Sequence, residues 1–303
     1  MSDARRALLG SLIDHAALFP PASMDMEEAV AEDRLARRDA NAWMIARFVC
    51  PASRLGELEN ALGGWGDAPQ LSVVLDGVAP GDEATWTEAL EADAHDVAAA
   101  ARAGASVAAL EVRLPSPRPG SAALIAAQAA LRPLRAEVYL ELLPGERWRD
   151  TLPAAIGAVA AIGARAKLRC GGETAAAFPP VEQVALVLAS CRDTGVVMKA
   201  TAGLHHPVRH VDEATGAHMH GFLNLLAAAS FAAAHNLRPG GLERVLAEEE
   251  PHAFEVGPDG IRVGQQRASA DEIEAARRHL FASYGSCSWR EPVEDLQAMG
   301  VLE

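Results

Sequence analysis

Short runs of β-branched and aromatic residues alternate with helical patterns from residue 44 onward, and this alternation limits the possible folds more than any other feature. Repeated strand and helix units are typical of a parallel sheet. The strand candidates are LIDHAALF near residue 12, WMIARFVC near 43, LSVVLDG near 71, VAALEVRL near 107, AEVYLELL near 136, ARAKLRC near 164, VVMKATAG near 196 and FASYGSCS near 281. Eight such segments favour a closed barrel, and no GxGxxG motif follows the first strand as a dinucleotide fold requires. We therefore predict an α/β protein with a single (β/α)8 (TIM) barrel domain over residues 1–303.

The regular spacing of these strand candidates is interrupted once, by a long gap between those near residues 196 and 281. The gap is far longer than one crossover helix needs, so we assign 205–275 to an insertion between strands seven and eight. Its predicted elements are an Ala-rich helix from Phe222 to His235, a helix from Leu242, a hairpin around Pro258-Asp259-Gly260, and a helix that starts with Ser269 and Glu272 in capping-box spacing. Loops that follow barrel strands lie on the catalytic face, which predicts a lid-like subdomain.

Composition excludes several classes of partner. A net charge of -14 disfavours binding to nucleic acid or to an anionic membrane. The Ala-rich runs are shorter than the span of a bilayer, and four scattered cysteines form neither a disulfide framework nor a CxxC zinc site. We expect a cytoplasmic protein with free thiols and a small-molecule substrate, and the oligomeric state stays open, a homo-oligomer included.

Charged side chains occur inside the strand candidates. Residues two apart share one side of a strand, and in a barrel one side faces the interior. On this rule four consecutive strands point polar side chains to the same side. They are Glu111 and Arg113, then Glu141, then Lys167 and Arg169, then Lys199 and Thr201. They could form a structural ion-pair network, such as Glu111 with Arg113 or Glu141 with Lys199. Their place near strand C-terminal ends instead favours catalysis.

The two lysines are informative because the chain uses arginine for its other basic residues. Of 27 Lys and Arg residues, only Lys167 and Lys199 are lysines. Lysine, unlike arginine, can lose its proton near neutral pH and attack a carbonyl to form a Schiff base. A neighbouring cation and partial desolvation both lower the pKa of an ammonium group, so each lysine could activate the other.

Several ordered segments resemble the deoxyribose-phosphate aldolases, class I aldolases of the barrel superfamily. The resemblance is carried by LIDHAALFPPASMDMEEAVAE from Leu12, FVCP at residues 48–51, VYLEL with Glu141, AKLRCGG with Lys167, MKATAGLHH with Lys199 and YGSCS from Tyr284. It spans nearly the whole chain. The sequence departs from the family at Leu168-Arg169-Cys170, where the family has small hydroxyl residues, at Glu111 and Arg113, and in the insertion.

The resemblance implies roles for these residues. Lys167 would form the Schiff base and Lys199 would lower the pKa of Lys167. Glu111, or less favourably Asp14, would move protons, with Glu141 beside them. Candidate contacts to an anionic carbonyl substrate, a phosphate or a carboxylate, are Arg113, Arg169, Thr201, Gly203, His205, His206, Gly285 and Ser286. This mechanism uses no cofactor.

An alternative starts from five histidines in the insertion. His205, His206, His210, His218 and His220 lie within a short segment, and with Asp14 or Asp212 they could hold a catalytic divalent metal for an isomerase or hydrolase. Their spacing matches no compact zinc signature.

Other readings concern residues beside the site. We predict that His15 is a hydrogen-bonded structural residue and that Cys170 and Cys287 are buried packing residues. A third possibility is a catalytically silent barrel that acts as a scaffold, since fold does not determine function.

Overall fold

A closed barrel of eight parallel strands forms the centre of the computed structural model, which describes residues 3–172, 174–212 and 216–303. The barrel strands are β1 (Ile13–His15), β2 (Ile45–Pro51), β3 (Leu71–Val74), β4 (Val107–Arg113), β5 (Glu137–Glu141), β6 (Arg165–Arg169), β7 (Met198–Thr201) and β13 (Phe281–Ser286). They close in the order β1-β13-β7-β6-β5-β4-β3-β2. The prediction of a (β/α)8 barrel interrupted between its seventh and eighth strands is confirmed.

Helices pack around the outside of this barrel. They are α1 (Ala4–Leu9), α2 (Met26–Ala36), α3 (Leu55–Leu62), α4 (Glu83–Ala103), α5 (Ser121–Leu131), α6 (Trp148–Ala161), α7 (Val181–Thr194), α8 (Phe222–His235), α9 (Pro239–Leu246), α10 (Ala270–His279) and α11 (Arg290–Ala298). Sequence signals set several of their ends. Asp82 caps α4 by accepting hydrogen bonds from the amides of Ala84 and Thr85, and Gly104 ends it in the left-handed conformation.

The first strand is much shorter than predicted. The segment LIDHAALF forms only three strand residues, Ile13–His15, and turns follow from residue 17. All three residues are buried, because β1 pairs with β13 on one side and β2 on the other. His15 contacts Asp33 inside the protein, with Nδ1 3.3 Å from Oδ1, in keeping with its predicted structural role.

The segment between β7 and β13 contains the predicted elements and three more strands. Helix α8 covers the predicted range, α9 starts three residues before Leu242, and the hairpin is formed by β10 (Phe254–Gly257) and β11 (Gly260–Val263). A third strand that the sequence did not predict, β12 (Gln266–Ser269), completes this small antiparallel sheet. Two short strands, β8 (His210–Val211) and β9 (His218–Met219), pair earlier in the segment.

The position of this segment contradicts the prediction that all of 205–275 is a lid. Helix α8 is buried along most of its length and packs on α7, α9 and α10 in the outer ring. The amide of Ala4 in α1 donates to the carbonyl of Pro258 at 2.9 Å, so the β10–β12 sheet lies beside the helix that leads into β1. That is the N-terminal end of the barrel, opposite the end where parallel barrels carry their active sites. Only the earlier part of the segment, which includes β8 and β9, borders the cavities described below.

None of the helices in the three described ranges combines the length and the apolar character that crossing a membrane requires.

Candidate active site

Six alternating charges form a continuous row at the C-terminal ends of the barrel strands. The strand register places Arg113 beside Glu141, Glu141 beside Lys167, and Lys167 beside Lys199. The row reads Asp14, Lys199, Glu111, Lys167, Glu141, Arg113. Each member contacts a neighbour of opposite sign, so the buried charges compensate one another. The predicted pairs of Glu111 with Arg113 and of Glu141 with Lys199 do not form. Glu111 pairs with Lys167 and Lys199, and Glu141 pairs with Lys167 and Arg113.

Glu111 lies at the centre of this row. Its Oε1 is 2.6 Å from Nζ of Lys199, and its Oε2 is 2.7 Å from Nζ of Lys167. The hydroxyl of Ser72 also donates to Oε1 at 2.6 Å. Burial by itself would raise the pKa of Glu111, but the two ammonium groups outweigh burial and hold that pKa well below its usual range. Glu111 is therefore ionised at neutral pH.

Lys199 is locked below the cavity. Its Nζ lies 2.5 Å from Oδ2 of Asp14, which also accepts a hydrogen bond from the hydroxyl of Ser283 at 2.7 Å. The ring of Tyr139 lies 5.5 Å from the same nitrogen. Lys199 is 0% exposed, and neither it nor Asp14 lines the two cavities at this end of the barrel. Asp14 thus holds Lys199, and it does not line the cavity beside which we predicted it as an alternative proton carrier.

Lys167 reaches the cavity floor while keeping two carboxylate partners. Its Nζ is 2.7 Å from Oε2 of Glu111 and 2.9 Å from Oε2 of Glu141, whose Oε1 accepts a hydrogen bond from Nε of Arg113 at 2.9 Å. Burial opposes the charged form of Lys167, but Glu111 and Glu141 outweigh burial and raise its pKa. We predicted that Lys199 lowers this pKa; in the structure Glu111 lies between the two ammonium groups, and the pKa of Lys167 is raised.

A cavity of about 380 Å³ opens above this row. Its polar lining contains these predicted site residues: Glu111, Glu141, Lys167, Arg113, Arg169, Thr201, Gly203, His205 and Gly285. Ser286 is absent from the lining, since its hydroxyl donates to the carbonyl of Ser288 at 2.6 Å in the turn after β13. His206 lines only the adjoining cavity of about 1030 Å³.

Glycine is required where the loops after β6 and β7 meet. Gly203 has a φ of 67°, and a Cβ there would lie 3.0 Å from the Cα of Gly171 and 2.9 Å from the ring of Phe178. The positive φ and the close approach both exclude larger residues. Arg169 belongs to the same region, where its Nε donates to the carbonyl of Gly171 at 2.9 Å, and its side chain lines both cavities.

The five histidines of the metal alternative have different partners. Their ring contacts are His205 with Glu291, His206 with Asp295, His210 with the Val208 carbonyl, His218 with Glu249, and His220 with the Pro179 carbonyl. Within the described parts of the chain, no three His, Cys, Asp or Glu side chains group as a metal site would require. Asp14 lies with Lys199, away from these histidines.

Sequence reasoning missed residues that become neighbours only through folding. Ser72 and Ser283 are the hydroxyl partners of Glu111 and Asp14. A polar residue in an otherwise apolar strand, as in LSVV, is a signal that could have identified Ser72. Cys287 is buried as predicted, and in addition its sulfur lies 3.9 Å from Nδ1 of His205.

Comparisons with known proteins find a structural similarity but do not assign the chain to a family. No family model matches the sequence, and no curated protein matches it. Among solved structures, a lysine/ornithine decarboxylase from Vibrio vulnificus, complexed with cadaverine, aligns at a TM-score of 0.41 and 11% identity. The alignment covers 93% of this chain but 58% of that chain. The barrel assignment therefore stands on the strand order, and the resemblance to deoxyribose-phosphate aldolases stays a prediction.

Proposed function

We propose that this protein is a Schiff-base-forming lyase of the class I aldolase type, with Lys167 as its nucleophile. The observation that carries the proposal is the contrast between the two lysines. Lys167 lines the cavity and is 6% exposed, whereas Lys199 is 0% exposed and lies outside the lining. Only an amine that touches the substrate can attack its carbonyl carbon.

The substrate class follows from the charges around that amine. Arg113, Arg169 and His205 line the same small cavity as Lys167. Guanidinium groups bind carboxylate and phosphate through paired hydrogen bonds. We infer a small carbonyl compound with an anionic group, either an oxo acid or a sugar phosphate.

Substrate binding can also activate Lys167. Arg113 is paired with Glu141, and the Arg113 side chain is 43% exposed. An anionic group that takes Arg113 as its partner removes a stabilising cation from Glu141, whose pKa is lowered by Lys167 and Arg113 against the opposing effect of burial. Glu141 then becomes a better base for the proton that Lys167 must lose before it attacks.

The later steps use the same groups. Attack by Nζ forms a carbinolamine, and loss of water gives a cationic iminium in place of the ammonium group, so Glu111 and Glu141 still face one positive charge. The iminium accepts the electron pair when the neighbouring carbon–carbon bond breaks. Glu111, held ionised by Lys199, is the carboxylate proposed to take the proton of the substrate hydroxyl.

Borohydride trapping tests this proposal. The protein is incubated with a panel of aldehydes, ketones and 2-oxo acids, reduced with borohydride, digested and analysed by mass spectrometry. We expect a reduced adduct on Lys167 with at least one compound, and no adduct on Lys199, because Lys199 does not reach the cavity.

Two variants provide controls for the trapping. Lys167→Arg keeps the charge but cannot form an imine, so its adduct and any lyase turnover should be lost. Lys199→Arg also keeps its charge and should still form the adduct on Lys167. The absence of any adduct in the native protein across the panel would leave the scaffold alternative; restoration of turnover by a divalent ion after chelation would favour metal catalysis.

A further inference from the structure

Cys287 lies where the two cavities join. It follows β13 directly, and both Cys287 and His205 line the smaller and the larger cavity. The Cys287 sulfur is 3.9 Å from Nδ1 of His205, and the same nitrogen is 3.0 Å from Oε2 of Glu291 in α11. A thiol, an imidazole and a carboxylate are therefore in contact beside open space.

The other three cysteines lack this combination. All four cysteines are buried, but Cys50, Cys170 and Cys191 are 0% exposed and line neither cavity, whereas Cys287 is 8% exposed. Burial raises the pKa of Cys50 and of Cys170 to about 12. These three thiols are expected to be inert in the folded protein.

His205 is well placed to hold and deliver a proton. The hydrogen bond with Cys287 raises the pKa of His205 to about 9, burial opposes this effect, and Glu291 adds to it. In contact with Cys287, the ring can therefore hold the proton that the thiol gives up. Its Nδ1 faces Cys287 and Glu291, and within the described ranges Nε2 has no hydrogen-bond partner. That nitrogen remains free to donate to a ligand in the cavity.

We propose that Cys287, His205 and Glu291 form a second covalent site, which takes a small aldehyde as a reversible thiohemiacetal. In the ion-pair form the sulfur is a thiolate and the proton is on His205. The sulfur adds to the aldehyde carbon, the C–S bond forms as the carbonyl π electrons move to oxygen, and that oxygen takes the proton from His205. The reverse step releases the aldehyde, and no oxidant or reductant is needed.

This chemistry differs from that of Lys167 in residues and in bond. The two sites share the smaller cavity and Arg169, so an aldehyde with an anionic group suits both. Addition to sulfur needs neither an amine nor the loss of water. The proposal therefore stands or fails independently of a Schiff base on Lys167.

Alkylation rates test the thiol. The folded protein is treated with iodoacetamide at neutral pH, and labelling of each cysteine is followed by mass spectrometry. We expect Cys287 to be labelled while Cys50, Cys170 and Cys191 are protected until unfolding. His205→Gln should lower the Cys287 rate constant by roughly tenfold or more, since the proton acceptor is lost. Glu291 is exposed on α11, so Glu291→Gln should lower the Cys287 rate constant less than His205→Gln does.

Matched controls separate activation from access. His218→Gln removes a surface histidine paired with Glu249 and should leave the Cys287 rate unchanged. Labelling of Cys287 at an unchanged rate in both His205→Gln and Glu291→Gln would overturn the proposal, as would the absence of labelling in the folded native protein.

A protection experiment tests the aldehyde. Glyoxylate, a small anionic aldehyde, should slow the iodoacetamide labelling of Cys287 reversibly, and the protection should persist in Lys167→Arg. If protection disappears in that variant, the aldehyde was held on Lys167, and the thiohemiacetal is excluded. The borohydride adduct on Lys167 is measured in a separate experiment. Absence of that adduct counts against the Schiff base, and absence of Cys287 protection counts against the thiohemiacetal.

Discussion

Lys167 and Lys199 have the same chemical group and opposite surroundings. Lys199 contacts Asp14 and Glu111 in a closed interior, whereas Lys167 contacts Glu111 and Glu141 at the cavity floor. Asp14 and Glu111 raise the pKa of Lys199 despite burial, so this residue is a permanent cation. Its role in the proposed mechanism is to keep Glu111 ionised and in position.

Removal of the Lys199 charge should destabilise the fold. Lys199→Met leaves Asp14 buried without its cation, and the free energy of unfolding should fall by roughly 3–5 kcal/mol in urea titration. The exposed pair of Arg147 with Asp150 gives the control, since Arg147→Met should cost less than about 1 kcal/mol. Adding Asp14→Leu to Lys199→Met should recover part of the loss; no recovery would contradict the buried-pair explanation.

The sequence allowed prediction of individual site residues where a residue type was rare. Two lysines among 27 basic residues drew attention to β6 and β7, and the period of two along each strand indicated that Glu111 and Glu141 face the barrel interior. Partners could not be predicted, because they depend on how adjacent strands are staggered. The contact of His205 with Cys287 joins residues 82 positions apart and follows from barrel closure between β7 and β13.

At the scale of elements, the Asn224 side chain connects α8 by hydrogen bonds to the loop after β7 and to the end of α9. Its Oδ1 accepts the amide of Arg209 at 2.8 Å, and its Nδ2 donates to the carbonyls of Val245 and Glu248 at 2.9 and 2.8 Å. This one buried amide joins the loop after β7 to the end of α9. The loop carries His205 and His206, so Asn224 positions part of the cavity wall from behind.

Substitution of Asn224 tests this connection. Asn224→Ala removes the side-chain partner of the Arg209 amide and of the Val245 and Glu248 carbonyls, and should lower the free energy of unfolding by roughly 1–3 kcal/mol. Chemical denaturation measures the loss. Ser230→Ala is the control on the same helix, because its hydroxyl only donates to the carbonyl of Leu226 within α8. Equal losses in both variants would contradict a special role for Asn224.

Element prediction succeeded where local signals were strong. Ser269 and Glu272 form the predicted capping box at the start of α10, and the Pro258-Asp259 turn joins β10 to β11. Strand β12 was missed because QRAS has little β propensity and is ordered by pairing with β11. The lid prediction was wrong because sequence order gives the end at which a loop leaves the barrel and not the end at which it packs.

For the whole molecule, acid stability should depend on His220. Burial, with a smaller effect of Arg209, lowers the pKa of His220 from 6.5 to about 4, while the hydrogen bond to the Pro179 carbonyl opposes this shift. As the pH falls, His220 therefore takes up a proton near pH 6.5 in the unfolded chain but only near pH 4 in the folded protein. Its contribution to stability is present above 6.5 and is lost as the pH falls through this window.

Denaturation at several pH values measures this dependence. Between neutral pH and about pH 5, native stability should fall by on the order of 2 kcal/mol through His220 alone. His220→Gln can keep a donor to the Pro179 carbonyl and should flatten the curve in this range, whereas His218→Gln, an exposed control, should not. Equal slopes in the native protein and His220→Gln would show that another group titrates.

The row of charges has a consequence for how this site can change by substitution. Strand register places Lys167 directly beside Lys199, and Glu111 bridges their ammonium groups. Loss of that one carboxylate would leave two like charges facing each other across neighbouring strands, one of them buried in the interior and the other at the cavity floor. The members of the row thus constrain one another. A replacement at the centre requires a second one beside it, whereas Arg113, half-exposed at the outer end, has a single partner in the row.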